Sequence, residues 1–170
     1  MNVQERFKNA AGLVESGEYT EATSELTWLW NHMLEEDKAF GGVRSSYLVS
    51  WMKRLAELDQ EAHQTFKALR DKLTPRLEPG STDYAPIMDW FTLSDKLLED
   101  HSTIGSWVDG LLASENEPFE LRIMKGTILS WMTNQGRWAD AGRILEPGAI
   151  VVARARLRIE EEKHNDQQND

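Results

Sequence analysis

Apolar side chains recur every three or four residues along most of this chain, and that spacing restricts the possible folds more than any other feature. Val3, Phe7, Ala10 and Val14 form the first stripe of this kind. Such a period places all its members on one face of an α-helix. The pattern predicts an all-α fold of about eight or nine helices, stacked as antiparallel helical hairpins.

Glycine and proline mark the predicted helix ends. Gly17 should end the first helix, and Gly41-Gly42 should break the chain before a third helix from about Val43 to Leu58. The other helices are predicted over 19–36, 61–73, 86–99, 102–113 (with a kink near Gly105), 118–136 and 138–145. In the third helix, the residues expected to face inward are Tyr47, Leu48, Trp51, Met52 and Leu55.

The C-terminal segment gives two competing signals. Over residues 152–159, apolar side chains alternate with Arg154, Arg156 and Arg158, which is the period of a strand. A helix is favoured, because Arg and Glu are good helix formers and the rest of the chain is helical. Residues 1–164 are predicted to form one domain, followed by a disordered polar tail over 165–170.

A short motif occurs twice. Gly17–Ala22 and Gly136–Ala141 each carry a glycine, an aromatic residue two positions later and an alanine three positions after that. Predicted turns at Gly17, Asp59, Asp100 and Gly136 lie 42, 41 and 36 residues apart. A period near 40 with two helices in each period is typical of α-hairpin arrays.

These two segments resemble the turn and the second-helix opening of a tetratricopeptide repeat. The resemblance implies a right-handed array of stacked helical hairpins with a concave protein- or peptide-binding surface. It brings no catalytic residue with it.

The charge of the chain limits its partners. The net charge is -10, and residues 81–149 carry 11 acidic side chains against 5 basic ones. Nucleic acid and anionic membrane surfaces are disfavoured, because both require a basic face. A basic or amphipathic protein or peptide is the expected partner. No segment is apolar enough to span a membrane, and the absence of cysteine suits a cytoplasmic protein.

The expected partner-binding residues are Trp28, His32 and Arg44, with acidic support from Asp95 and Glu99. Trp28 lies off the main apolar stripe of its helix, so it is the tryptophan expected to be exposed. A second apolar face that packs on the next hairpin is the alternative interpretation.

A weaker anion site is predicted where the third helix begins. Gly41, Gly42, Arg44 and Ser45 would offer free N–H groups and a guanidinium that grips a partner's carboxylate with both nitrogens. The alternative is a plain turn between hairpins with a serine cap.

Catalytic and metal sites are not expected. Acidic pairs are numerous, but in an acidic chain they usually form a solvated face. Glu161 and His164 match half of a di-metal helix motif, and a solvated charge run explains them better. No cofactor is predicted. The Arg154–Arg158 segment could bind an acidic patch of a second protomer, in a homodimer, or of this chain's own middle, although pairing with Glu160–Glu162 is the simpler explanation.

Three functions follow. The favoured one is a non-catalytic helical-repeat module, adaptor-like or chaperone-like, that binds a protein or peptide. The second is an acidic immunity-type protein that neutralises a basic toxin. The third is an enzyme on a helical scaffold that uses carboxylates.

Overall fold

In the computed structural model of the chain, the structure describes residues 1–77, 83–114 and 117–145. Over these residues the fold is all-α, with nine helices and no strand, which confirms the predicted fold class. The Arg154–Arg158 segment, the choice between helix and strand at 152–159, the Glu161–His164 pair and the tail at 165–170 lie outside the described residues.

The helices follow one another with short connections. Helix α1 spans Val3–Ser16 and α2 spans Tyr19–Glu36. Helix α3 begins at Gly41–Val43, passes through a π-helical turn at Arg44–Leu48 and continues over Val49–Leu58. Helix α4 spans Gln60–Asp71, and α5 joins Tyr84–Thr92 to a π-helical turn at Leu93–Leu97. The last four are α6 (His101–Ala113), α7 (Phe119–Ile123), α8 (Lys125–Asn134) and α9 (Trp138–Ile144).

The chain divides into two compact units, Met1–Phe119 and Glu120–Asp170, where the sequence predicts a single domain over 1–164. In the first unit, consecutive helices pack in pairs around one apolar core. The largest fully buried side chains of that core include Leu26, Leu29, Met33, Leu48, Met52, Leu55 and Phe66. In the second unit, α8 packs against α9, and the buried apolar residues are Leu121, Met124, Ile128, Trp131, Met132 and Ala141.

The two copies of the glycine motif adopt the same local conformation. Gly17 and Gly136 both have left-handed backbones, with φ of 82° and 70°. The residue after each glycine donates its N–H to a carbonyl five positions earlier, at 3.0 Å and 2.8 Å. This hydrogen bond closes a Schellman motif and ends the preceding helix. The motif alanines, Ala22 and Ala141, are both buried.

Gly41 and Gly42 do not break the chain, so that prediction is wrong. Both lie within α3, and Gly41 has a right-handed backbone with φ of -52°. The break falls at Asp37, which is extended and caps a short 3-10 turn, Lys38–Phe40, through the Ala39 N–H. Glycine permits a break without requiring one, and a helix can begin at glycine when tertiary packing holds it.

Three details of the predicted helices are also corrected. Tyr47 was expected to face inward, but its side chain is 68% exposed, and Trp51 is only half-buried. Helix α6 continues through Gly105 without a break. The predicted seventh helix is divided at Met124 into α7 and α8. Leu48, Met52 and Leu55 are buried as predicted.

A buried arginine joins α4 to the turn between α5 and α6. Arg70 is 4% exposed and donates to Asp71 at 2.7 Å, to Asp100 at 3.0 Å and to Ser94 at 3.2 Å. Asp100 also caps α6 by accepting from the N–H and hydroxyl of Thr103. The Thr103 hydroxyl, followed by the Arg70 guanidinium, lowers the pKa of Asp100 to about 2.

Replacing Asp100 by Asn should lower stability at neutral pH by on the order of 1–2 kcal/mol, because Asn keeps the cap but loses the charge that faces Arg70. The folded pKa lies below the unfolded value of 3.8, so the carboxylate stabilises the fold above pH 3.8 and loses that effect as pH falls towards about 2. Urea unfolding at pH 7, 4 and 2.5 would measure both effects.

Asp59→Asn is the matched control, since Asp59 caps α4 through the Ala62 N–H without contacting Arg70. It should cost a few tenths of a kcal/mol. Equal losses for the two variants at pH 7 would show that the pair with Arg70 contributes nothing beyond the cap.

Candidate binding surface

The outer face of α3 carries a partly exposed apolar stripe, in which Trp51 also packs against the core. Tyr47, Trp51 and Leu58, called the α3 stripe below, follow one another at helical spacing and lie on one side of the helix. Tyr47 is 68% exposed and Leu58 is 52% exposed, while Trp51 is half-buried. The guanidinium of Arg54 lies 5.1 Å from the centroid of the Trp51 ring and so extends the stripe with a cation.

A groove of about 370 Å³ lies beside the stripe. It is called the α3–α5 groove, because six of its lining residues come from α3 and one comes from α5: Ser46, Val49, Ser50, Lys53, Arg54, Glu57 and Lys96. The hydroxyls of Ser46 and Ser50 donate to carbonyl oxygens of their own helix, at 2.5 Å and 3.0 Å. These short side chains stay against the helix and leave the floor of the groove open.

The groove is basic although the chain is acidic. Its lining carries three cations and a single carboxylate, Glu57. The Nζ of Lys53 lies 2.6 Å from Oε1 of Glu99 and 3.9 Å from Oε1 of Glu57. Lys96 donates to the carbonyl of Ser45 at 3.0 Å. Arg54 makes no ion pair with any described residue.

The Lys53–Glu99 pair is exposed and mutually stabilising. The hydrogen bond between the two groups raises the pKa of Lys53 and lowers the pKa of Glu99. Exposed ion pairs contribute little to stability because water screens them and two long side chains must be ordered. A carboxylate of a binding partner could therefore replace Glu99 as the partner of Lys53 with little loss of stability.

Glu99 holds an unusual backbone conformation. Its φ is +50°, in the left-handed region that Gly17 and Gly136 occupy at the ends of their helices. A residue with a Cβ is strained there by about 1 kcal/mol or more, and such strain often accompanies function. The conformation turns the chain between α5 and α6, and the Glu99 side chain reaches Lys53 on α3.

Another groove, of about 310 Å³, lies between α2 and α4 and has the opposite character. Four hydroxyl residues of α2 line it together with Asp59, Glu61, Ala62 and Thr65. Its lining contains two carboxylates and no basic side chain. These two grooves, both formed by described residues of the first unit, therefore have opposite charge.

Trp28 packs against its neighbours rather than standing free. The ring is half-buried against the core, with the Arg6 guanidinium 3.9 Å from its centroid and the His32 ring 4.9 Å away. His32 Nδ1 lies 2.8 Å from Glu35. These contacts fit the alternative interpretation, in which Trp28 belongs to a second packing face of α2.

Arg44 points into the protein, which corrects its predicted role. It is 8% exposed and pairs with both carboxylate oxygens of Asp89, with 2.8 Å between its second terminal nitrogen and Oδ2. Its Nε donates to the carbonyl of Trp30 at 2.8 Å, and the guanidinium stacks 3.6 Å from the Trp30 ring centroid. Arg44 does pair with a carboxylate through two nitrogens, as expected, but the carboxylate is Asp89 of this chain and not that of a partner.

The predicted anion site also loses its donors. The N–H of Gly41 donates to the carbonyl of Lys38 in the preceding 3-10 turn. The hydroxyl of Ser45 donates to the carbonyl of Gly42 at 3.4 Å. With Arg44 directed inward, the four residues Gly41, Gly42, Arg44 and Ser45 do not converge on one exposed point.

Asp95 and Glu99 lie near the turn between α5 and α6, apart from the Trp28–His32 contacts. Asp95 Oδ1 is 3.7 Å from His101 Nδ1, and burial raises the pKa of Asp95. A carboxylate and an imidazole are suitable for acid–base chemistry, but 3.7 Å exceeds a hydrogen bond and neither groove includes them. The predicted partner-binding residues thus fall into three separate groups.

In residues 1–77, 83–114 and 117–145, no three His, Cys, Asp or Glu side chains are arranged to hold a metal ion. Among the described helices, none has the length and apolarity needed to cross a membrane.

No protein-family model matches the chain, and comparison with curated proteins and with solved structures finds no match either.

Arg44→Met should destabilise the protein by about 3–5 kcal/mol, because Asp89 and the Trp30 carbonyl would lose their partner in a partly buried site. Arg44→Lys should also cost about 1–3 kcal/mol, since an ammonium cannot pair with both carboxylate oxygens. Urea unfolding followed by tryptophan fluorescence would measure these losses.

The double variant Arg44→Met, Asp89→Leu is the informative control. It should recover most of the stability that Arg44→Met loses, because no unpaired charge remains. If Arg44→Met alone changes stability by less than about 0.5 kcal/mol, the guanidinium does not join the three helices.

Proposed function

We propose that the protein is a non-catalytic, tetratricopeptide-like helical-repeat module that binds a protein or peptide segment on the outer face of α3. The observation that carries the proposal is the exposed α3 stripe beside an open groove. A cytoplasmic location belongs to the same proposal, since a chain without cysteine has no disulfide to form.

The composition of the surface supports binding. Tyrosine, tryptophan and arginine are the residue types that contribute most to protein interfaces, and Tyr47, Trp51 and Arg54 lie within two turns of one helix. Tyr and Trp rings supply large contact areas at a low cost in side-chain entropy. Leu58 adds an aliphatic contact one turn beyond Arg54.

The length of the surface fits a short helical segment. From Tyr47 to Leu58 the stripe covers about 16 Å, or about three turns of helix. An amphipathic helix can lay its apolar face along such a surface, with anchors every three or four residues. The partner class is therefore an amphipathic segment, as the sequence suggests.

The Trp28–His32 face is a poorer candidate. Its tryptophan already contacts Arg6, His32 and the core, so a partner would have to displace those contacts. Trp51 also packs against the core, but Tyr47 and Leu58 are mostly exposed, and their exposed area is available for burial at about 25 cal/mol for each Å².

Selection from a random peptide library on the immobilised full-length protein would test the proposal. We expect enrichment of amphipathic sequences with apolar residues at helical spacing. The variant Tyr47→Ser, Leu58→Ser should weaken selected peptides at least about tenfold, because it removes two exposed anchors. Fluorescence anisotropy with labelled peptides would measure the affinities.

Tyr84→Ser is the matched control, since Tyr84 is also an exposed tyrosine but lies at the start of α5. It should leave peptide affinity unchanged. All three substitutions should alter stability by less than about 0.5 kcal/mol. Equal binding by the wild type and the Tyr47, Leu58 variant, or no enrichment of any peptide, would contradict the proposal.

A further inference from the structure

We infer that the segment bound on the α3 face is acidic: an amphipathic helix whose apolar side meets the α3 stripe and whose carboxylates meet Lys53, Arg54 and Lys96. The inference rests on the proposed function and names its partner class. It differs from the basic partner that the net charge of the whole chain favours.

The α3–α5 groove is positively charged, whereas the chain as a whole is negatively charged. The whole chain has 29 acidic and 19 basic residues, whereas the α3–α5 groove has one carboxylate and three cations. Screening limits charge effects between exposed groups to about 8–10 Å at physiological salt. A ligand seated in the groove therefore experiences mainly these three cations and the two carboxylates beside them, Glu57 and Glu99, which together give a local charge of +1, and not the net charge of the distant surface.

Two of the three cations, Arg54 and Lys96, retain capacity for a new carboxylate. Arg54 has no ion pair among the described residues, and its stacking on Trp51 places the guanidinium between the stripe and the groove. Lys96 uses one N–H for the Ser45 carbonyl, which leaves two of its three donors. Lys53 is paired with Glu99, but that pair is solvent-exposed.

Glu99 would compete with a partner's carboxylate for the Lys53 ammonium. Its carboxylate lies 2.6 Å from the Lys53 ammonium at the edge of the groove. A partner's carboxylate would replace it there, so the partner must displace an existing pair before it gains the contact. Removing the charge of Glu99 should therefore strengthen binding of an acidic partner.

Three synthetic peptides provide the test. Each is about 18 residues long, roughly five helical turns, with the same Leu and Trp positions and with Glu, Gln or Lys at the remaining positions. Binding to the full-length protein is followed by anisotropy. The Glu peptide should bind at least about tenfold more tightly than the Lys peptide, and this preference should shrink as salt is raised.

Substitutions locate the effect. Arg54→Gln and Lys96→Gln should each weaken the Glu peptide about fivefold and leave the Gln peptide unchanged. Glu99→Gln should strengthen the Glu peptide about twofold to fivefold, a gain that a damaged fold could not produce. Lys8→Gln, on the exposed side of α1, removes the same charge outside the groove and should change neither affinity.

The outcomes separate the two proposals. If all three peptides bind equally well and Tyr47→Ser, Leu58→Ser still abolishes binding, the acidic partner is wrong and the binding surface stands. If the Tyr47, Leu58 variant binds every peptide as the wild type does, both proposals fail. A concentration-dependent dimer in sedimentation that Arg54→Glu dissociates would make the occupant a second copy of this chain, and would overturn the acidic-peptide inference.

Discussion

The arrangement of the first unit depends on one arginine. Arg44 of α3 donates to a backbone carbonyl of α2, stacks on the Trp30 ring of that helix and pairs with Asp89 of α5. A buried guanidinium is costly unless its donors are satisfied, so these contacts hold three helices in one relative orientation. Because Arg44 and Leu48 both face inward, Tyr47 lies on the outside of the same turn. The side chain that was expected to bind a partner instead helps to expose the residues that now form the candidate surface.

Local features of the sequence were sufficient for much of the fold. Helix α2 has the bounds predicted from its apolar stripe, and Gly17 and Gly136 end their helices because each turn needs a left-handed residue. Both features depend on residues only a few positions apart. Gly41-Gly42 misled the prediction, since a glycine pair has no fixed conformation and the surrounding helix packing decides.

The candidate surface was much harder to predict. Arg44 and Asp89 are 45 residues apart, so nothing in the sequence near Arg44 shows that its charge is satisfied internally. Tyr47 and Trp51 are adjacent to Leu48 and Met52, and a shift of one residue turns a helix by about 100°. Both the pair Tyr47 and Trp51 and the pair Leu48 and Met52 have helical spacing, so the apolar pattern alone does not show which pair faces the core. Lys96 reaches the α3–α5 groove only through the packing of α5, which is again a long-range property.

The two π-helical turns have a consequence for how α3 and α5 could change over evolution. Each turn, at Arg44–Leu48 and at Leu93–Leu97, accommodates one residue more than a regular α-helical turn of similar rise. Deleting a single residue from the α3 turn would restore regular α-helical winding, and the helix faces before and after the turn would keep their orientation, because the turn already absorbs that residue. Arg44 would keep its carboxylate, and Met52 and Leu55 would stay in the interior. Alignment gaps among homologues should therefore fall at these turns more readily than in the regular turns of the same helices, where the loss of one residue rotates all that follows by about 100°.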